Sequence, residues 1–295
     1  MTLPRRVLPN TTYLITRRCV GRRFLLRPDR ALNALFEYYL ALGAEKYGIE
    51  VHCLCVMSNH YHLILTDALG ILPDFMCWLN GQLAKRVKSL RRWDEVLWEP
   101  NVHFSSVELQ GPAEVLDKTA YTILNPVSAG LVHRPEDWPG LMSTLETLRR
   151  GEVRVRRPSG RFTEEYPAEL QLRFTPPPCF EEAALYVDAL QRLVDSRLNS
   201  LHSEWAREGR RALGRKAVLQ TPTTARPRGR KARFGRSPTF SAYTRRTWHR
   251  AVERLRAFRA AYRRAYEAWR SGEPGTEFPE GTWWVLRYAN ASVAT

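Results

Sequence analysis

Two short segments of the 295-residue chain carry side chains whose types and spacing could do chemistry together. In Met57-Ser58-Asn59-His60-Tyr61-His62-Leu63-Ile64-Leu65, two histidines stand two apart in a run that reads as a strand. Strand side chains alternate between faces, so His60 and His62 point the same way and their imidazoles can share one divalent cation. That is half of a metal site, and an HxH pair on a half-buried strand is also what two packed, hydrogen-bonded histidines look like. His52 would share the face only if the intervening turn preserved register. The second segment, Ala120-Tyr121-Thr122-Ile123-Leu124-Asn125-Pro126-Val127, sets Tyr121 and Asn125 four apart on one face of a helix that Pro126 must kink or end. A lone tyrosine there reads as core, and a phenol with a pKa near 10 needs a cation or positive field to act as a nucleophile. The two segments complement each other: a cation held by the histidines polarises a phosphate, and Tyr121 attacks it.

The elements that must position these groups follow from pattern. Residues 11–18 alternate as a strand, and 29–47 read as a helix with an Asp29 cap and a Gly48 stop. Residues 51–56 and 60–66 are two strands joined by the Met57-Ser58-Asn59 turn. A second helix spans 73–90, a fourth strand 102–109, and a third helix runs from Pro112 through 124. The order βαββαβα closes most naturally as an α+β fold, a ferredoxin-like split βαβ domain with an antiparallel sheet and helices on one face. This domain is expected to occupy residues 1–150.

The HYH strand within MSNHYHLIL, followed about sixty residues later by YTILNPVSAGLV, closely resembles the single-tyrosine HUH transposases of bacterial insertion sequences. It is most similar to their host-resident relatives, the REP-associated tyrosine transposases. The resemblance covers roughly residues 8–148. It implies a ferredoxin-like nuclease acting on single-stranded DNA beside an imperfect hairpin, with Mg²⁺ or Mn²⁺ as cofactor and a 5′-phosphotyrosine intermediate. Under it His60 and His62 match the metal-binding histidines, Tyr121 the nucleophile, and Asn125 the polar residue that completes the metal shell. Ser58 and Ile123 depart from the family, which often has Pro and His there, and Asn125 stands where some members carry the longer Gln.

The formal charge of +16 is unevenly distributed. Residues 1–150 carry 18 basic and 15 acidic residues, whereas 207–264 hold 19 basic residues against Glu208 and Glu253, a net of +17. The expected second region, 151–295, is therefore a basic, mainly helical extension, with a flexible arm around 221–237 and an amphipathic helix over 243–270. The stripe Trp248, Val252, Leu255, Phe258, Tyr262, Tyr266 and Trp269 of that helix reads as core. Such a surplus favours a polyanionic partner, here single-stranded or hairpin DNA, over an acidic membrane. The DNA-contacting candidates are Arg17, Arg18, Arg22 and Arg23 after the first strand, Lys85, Arg86 and Lys88 on the second helix, and Arg228, Arg230, Lys231 and Arg233 in the arm.

Five scattered cysteines without a CxxC argue against a disulfide framework or a zinc knuckle. No apolar run reaches membrane-spanning length and no secretory leader opens the chain, so the expected location is the cytoplasm, at the nucleoid, as a monomer or homodimer. The alternative is a domesticated, non-catalytic protein that binds DNA or RNA hairpins without cutting them.

Overall fold

The computed structural model describes residues 4–100, 103–159, 166–227, 238–289 and 291–294. Seven elements come first: β1 (Thr11–Arg18), α1 (Arg30–Tyr47), β2 (Ile49–Val56), β3 (His60–Asp67), α2 (Leu72–Arg91), β4 (Ser105–Leu109) and α3 (Pro112–Ser128). α1 starts where the Asp29 carboxylate accepts from the Leu32 amide at 2.9 Å, and stops at Gly48, whose φ of 59° suits a residue without a Cβ. Pro126 does not end α3, since two helical residues follow it. Placed in the last turn, it removes one amide from a helix whose remaining bonds are already made.

The strands pair in the order β2-β3-β1-β4, every neighbour antiparallel. β1 lies between β3 and β4 and sets Arg18 opposite His60 and Thr16 opposite His62. Alternation along β3 divides its side chains. Tyr61 packs edge-on against Phe36 of α1 and donates its hydroxyl hydrogen to Asn80 of α2 at 2.8 Å. His60 and His62 face the other side, where α3 lies. The expectation of helices on one face only is thus corrected: α1 and α2 cover one face and α3 the other. The reason is visible in β2 and β3, which are buried along almost their whole length and so need cover on both sides.

The chain continues through α4 (Leu145–Arg150), β5 (Glu152–Arg156), β6 (Glu169–Arg173), α5 (Ala183–Glu208), α6 (Arg215–Gln220), β7 (Phe240–Ser241), α7 (Arg245–Arg270), β8 (Glu277–Phe278), α8 (Trp283–Tyr288) and β9 (Ser292–Val293). The core does not stop at residue 150. Leu172, Phe174, Tyr186 and Leu190 belong to the same buried cluster as Ile15 and Leu63, and the Tyr186 hydroxyl donates to Thr119 of α3. β7 adds a parallel fifth strand beside β4. A mixed sheet-and-helix N-terminal region is thus followed by a largely helical C-terminal one.

The aromatic stripe of α7 corrects the sequence reading. Of its seven large side chains only Phe258 is buried, while Trp248 and Trp269 are 48% and 40% exposed. Tyr262 and Tyr266 rest on a small separate cluster around Phe278 and Val285 rather than on the main core. All five cysteines are free. Among the described residues no helix is long and apolar enough to cross a membrane.

Candidate active site

The β2–β3 turn that delivers His60 is fixed from outside. The Trp138 indole donates to the Val56 carbonyl at 3.0 Å, directly before the turn. Gly140 permits this approach, because a Cβ there would meet the Trp138 ring nitrogen at 2.3 Å and the Val56 oxygen at 2.8 Å.

His60 Nδ1 donates to the Asn59 side-chain oxygen at 2.6 Å, which leaves the Nε2 lone pair facing His62 Nε2, 3.1 Å away. His62 Nδ1 is held at 2.9 Å by the Thr16 hydroxyl from the partner position on β1. Burial, the neighbouring His62 and Arg18 keep His60 well below the usual imidazole range. Burial and Arg18 push His62 down to about 4. Both rings are therefore neutral at pH 7, the state in which imidazole ligates a metal.

From the other side α3 brings two groups to the pair. The Asn125 amide nitrogen stands 3.4 Å from His62 Nε2, and the Tyr121 ring meets the His62 ring edge-on with centroids 5.2 Å apart. Asn125 is buried; Tyr121, flanked by the buried Ala120 and Thr122, is 43% exposed.

These residues fit a small divalent cation. Adjacent ligands of an octahedral ion at about 2.1 Å lie about 3 Å apart, the spacing of the two Nε2 atoms. Metal-ligating histidines engage their second ring nitrogen in a hydrogen bond, as Asn59 and Thr16 provide here. Among the described residues no group of three or more His, Cys, Asp or Glu converges. The further positions of such an ion would fall to Asn125 and to water or phosphate oxygens, the usual partners of magnesium.

The basic candidates divide by place. Arg18 and Arg22 line a cavity that also touches His60 and Asn125. Arg17 lies over the Trp98 ring and Arg23 over the Trp93 ring, with Arg23 also donating to the Thr224 carbonyl. Lys85, Arg86 and Lys88 belong to α2, across the sheet from the histidines, and Arg86 donates to the Tyr39 hydroxyl. Arg228, Arg230, Lys231 and Arg233 lie outside the described residues.

Sequence reasoning missed Thr16 and Asn59. Asn59 was available as the neighbour of His60, whereas Thr16 needed the β1–β3 register. His52, left aside for want of register, sits at a β-bulge between Val51 and Cys53 and is not part of the site. Its Nδ1 donates to the Thr175 carbonyl at 2.8 Å and its Nε2 accepts from the Thr66 hydroxyl at 2.7 Å.

No protein-family model and no curated protein matches the sequence. The solved structures that resemble part of it include a transposase and a transposase candidate. A REP-associated tyrosine transposase bound to a REP hairpin aligns at 18% identity and a TM-score of 0.43, over 51% of this chain and 87% of that one. A transposase candidate from Deinococcus radiodurans aligns at 25% identity and a TM-score of 0.28, over 32% of this chain and 76% of that one. The resemblance is distant and partial.

Proposed function

We propose that the protein is a DNA strand transferase of the single-tyrosine HUH type, which cuts and rejoins single-stranded, hairpin-associated DNA through a 5′-phosphotyrosine link. One observation carries this reading: two neutral imidazoles bring their Nε2 atoms within 3.1 Å of each other, and the part-exposed Tyr121 ring of α3 lies edge-on against the His62 ring. The strand order β2-β3-β1-β4, with α1 and α2 as crossovers, supports a ferredoxin-like split βαβ scaffold for it. In this proposal the chemistry sits in residues 1–150, and 151–295 form the basic extension.

His60 and His62, with Asn125, would hold Mg²⁺ or Mn²⁺, which when bound offsets charge developing on the phosphoryl oxygens. Asn59 and Thr16 keep the two rings oriented for that task. The Tyr121 oxygen forms a bond to phosphorus as the bond from phosphorus to the 3′ oxygen breaks. The phenol proton passes to solvent at the exposed side of Tyr121, and the departing 3′ oxygen takes one up. One phosphate ester replaces another, so a free 3′-hydroxyl can reverse the step without a nucleoside triphosphate. One tyrosine serves one cut, and paired cuts require two subunits or sequential use of the site.

The test is incubation of the full-length protein with hairpin-bearing single strands in Mg²⁺, followed by denaturing electrophoresis. A protein–DNA adduct is expected, and it disappears in EDTA and in Tyr121→Phe. Undiminished cleavage by Tyr121→Phe overturns the mechanism. Tight hairpin binding without cleavage in either metal favours the non-catalytic reading instead.

A further inference from the structure

Beside the histidine pair lies a cavity of about 410 Å³ whose walls come from both halves of the chain. Phe24 and Met57 form the apolar side next to the β2–β3 turn, and His60 and Asn125 form the side shared with the candidate site. Leu213 and Val218, from the basic extension, close the outer side. This wall is anchored at both ends. Leu213 and Gly214 donate their amides to the carbonyls of Gly130 and Leu131, just past α3. Further on, the Thr221 and Thr224 carbonyls accept from Arg27 and Arg23, and the Ala225 carbonyl accepts from the Phe24 amide. The extension therefore crosses from the end of α3 to the loop after β1, and completes a pocket that residues 1–150 leave open.

The lining selects a class of occupant. Half-buried Phe24 is the one carbocyclic aromatic side chain in the lining, Met57, Leu131, Leu213 and Val218 add apolar surface, and Ser58, Asn59, His60, Asn125 and Thr221 supply hydrogen-bonding groups. Arg18 and Arg22 line the same cavity and bring positive charge to it. A flat heteroaromatic body with hydrogen-bonding edges, attached to a phosphate, matches that distribution, and the volume falls within the range of about 300–1,000 Å³ usual for small-ligand pockets.

We propose that this cavity receives one unpaired nucleobase adjacent to the scissile phosphate, so that the basic extension helps set which base is accepted at the cut. The inference rests on the strand-transferase reading for the identity of the phosphate. It gives residues 213–227 a part in specificity that is separate from the general affinity their charge would supply.

The test uses the full-length protein and a single-stranded DNA library with a randomised core, in two arms. In the first, covalent adducts formed in Mg²⁺ are recovered and sequenced. In the second, strands retained without covalent attachment in EDTA are sequenced. Wild type is expected to show a base preference at one position next to the cut in both arms. Phe24→Ala, which widens the pocket, and Leu213→Trp, which narrows it from a 53% exposed position, should each change that preference by about tenfold, leaving the other positions as they were. An unchanged profile in both variants overturns the proposal, as does a wild-type profile that is flat next to the cut. If no adduct forms anywhere, yet an EDTA-arm preference is lost in both variants, the pocket stands and the strand-transferase reading falls.

Discussion

Tyr61, Leu63 and Leu65 alternate along β3 with His60, His62, Ile64 and Thr66, and the polar members of the second set meet different surroundings from the first. The first set is fully buried against α1 and α2, and its one polar atom is satisfied by Asn80. On the second face, polar side chains are held to one another: Thr12 to Thr66, Thr66 to His52, Thr16 to His62, Asn59 to His60. A period of two thus lets one eight-residue strand supply core contacts on one side and a pair of oriented imidazoles on the other. Stability and chemistry are consequently separable by substitution at adjacent residues.

The largest expected effect lies on the polar face. His62→Ala and Tyr121→Phe should each lower adduct formation at least a thousandfold, while the urea midpoint falls by the equivalent of about 1–3 kcal/mol for the buried His62 and by less than about 1 kcal/mol for the part-exposed Tyr121. If Tyr121→Phe instead costs as much stability as Leu63→Ala, or His62→Ala keeps full adduct formation, the division between faces is wrong.

On the apolar face, Leu63→Ala removes a side chain with no exposed surface and should cost about 2–5 kcal/mol in a denaturant titration. The fraction still folded should keep the wild-type rate per active molecule. A selective loss of cleavage at full stability would contradict the assignment.

His52 sharpens the comparison, because it is polar, buried and outside the site. Burial pushes it down to about 4, so the folded protein holds it neutral while the unfolded chain titrates near 6.5. Its contribution to stability is complete above pH 6.5 and falls as the pH drops toward 4, because only the unfolded state takes up the proton. Between pH 7 and 4.5 wild type should therefore lose about 2–3 kcal/mol more stability than His52→Gln, measured by urea unfolding at each pH. Parallel curves would show that His52 titrates alike in both states.

The smallest effect concerns the groups behind the ligands. Asn59→Ala removes the acceptor that orients His60 and should weaken Mn²⁺ binding by about 10–100-fold, with little change in the urea midpoint. Calorimetric titration of the metal reads this directly, and an unaltered affinity would mean that His60 is oriented by packing alone.

Much of this arrangement was legible in the sequence because local signals and tertiary burial agreed. The Asp29 cap, the Gly48 stop and the alternation through 60–66 each depend on a few neighbouring residues, and the elements fall within a few residues of their expected ends. The parity of His60 and His62 and the helical spacing of Tyr121 and Asn125 were readable for the same reason. What escaped depended on partners distant in sequence. Thr16 acquires its role from register, and β7 is a two-residue strand with no period to detect. The pocket wall at Leu213 and Val218 comes from a segment about 150 residues beyond the turn it covers. The stripe of α7 has helical spacing, but spacing alone does not say how much structure will cover it, and Trp248 stays largely exposed.

The central claim is that Tyr121 makes a covalent bond to DNA under the control of His60 and His62. Its most direct measurement is mass spectrometry of a tryptic digest after reaction with a hairpin-bearing single strand in Mg²⁺. The fragment beginning at Thr119 should carry a nucleotide joined through a 5′-phosphate to Tyr121, and the modification should vanish in EDTA and in His62→Ala. A nucleotide found on another residue, or the same adduct formed at full yield without metal, would contradict the account.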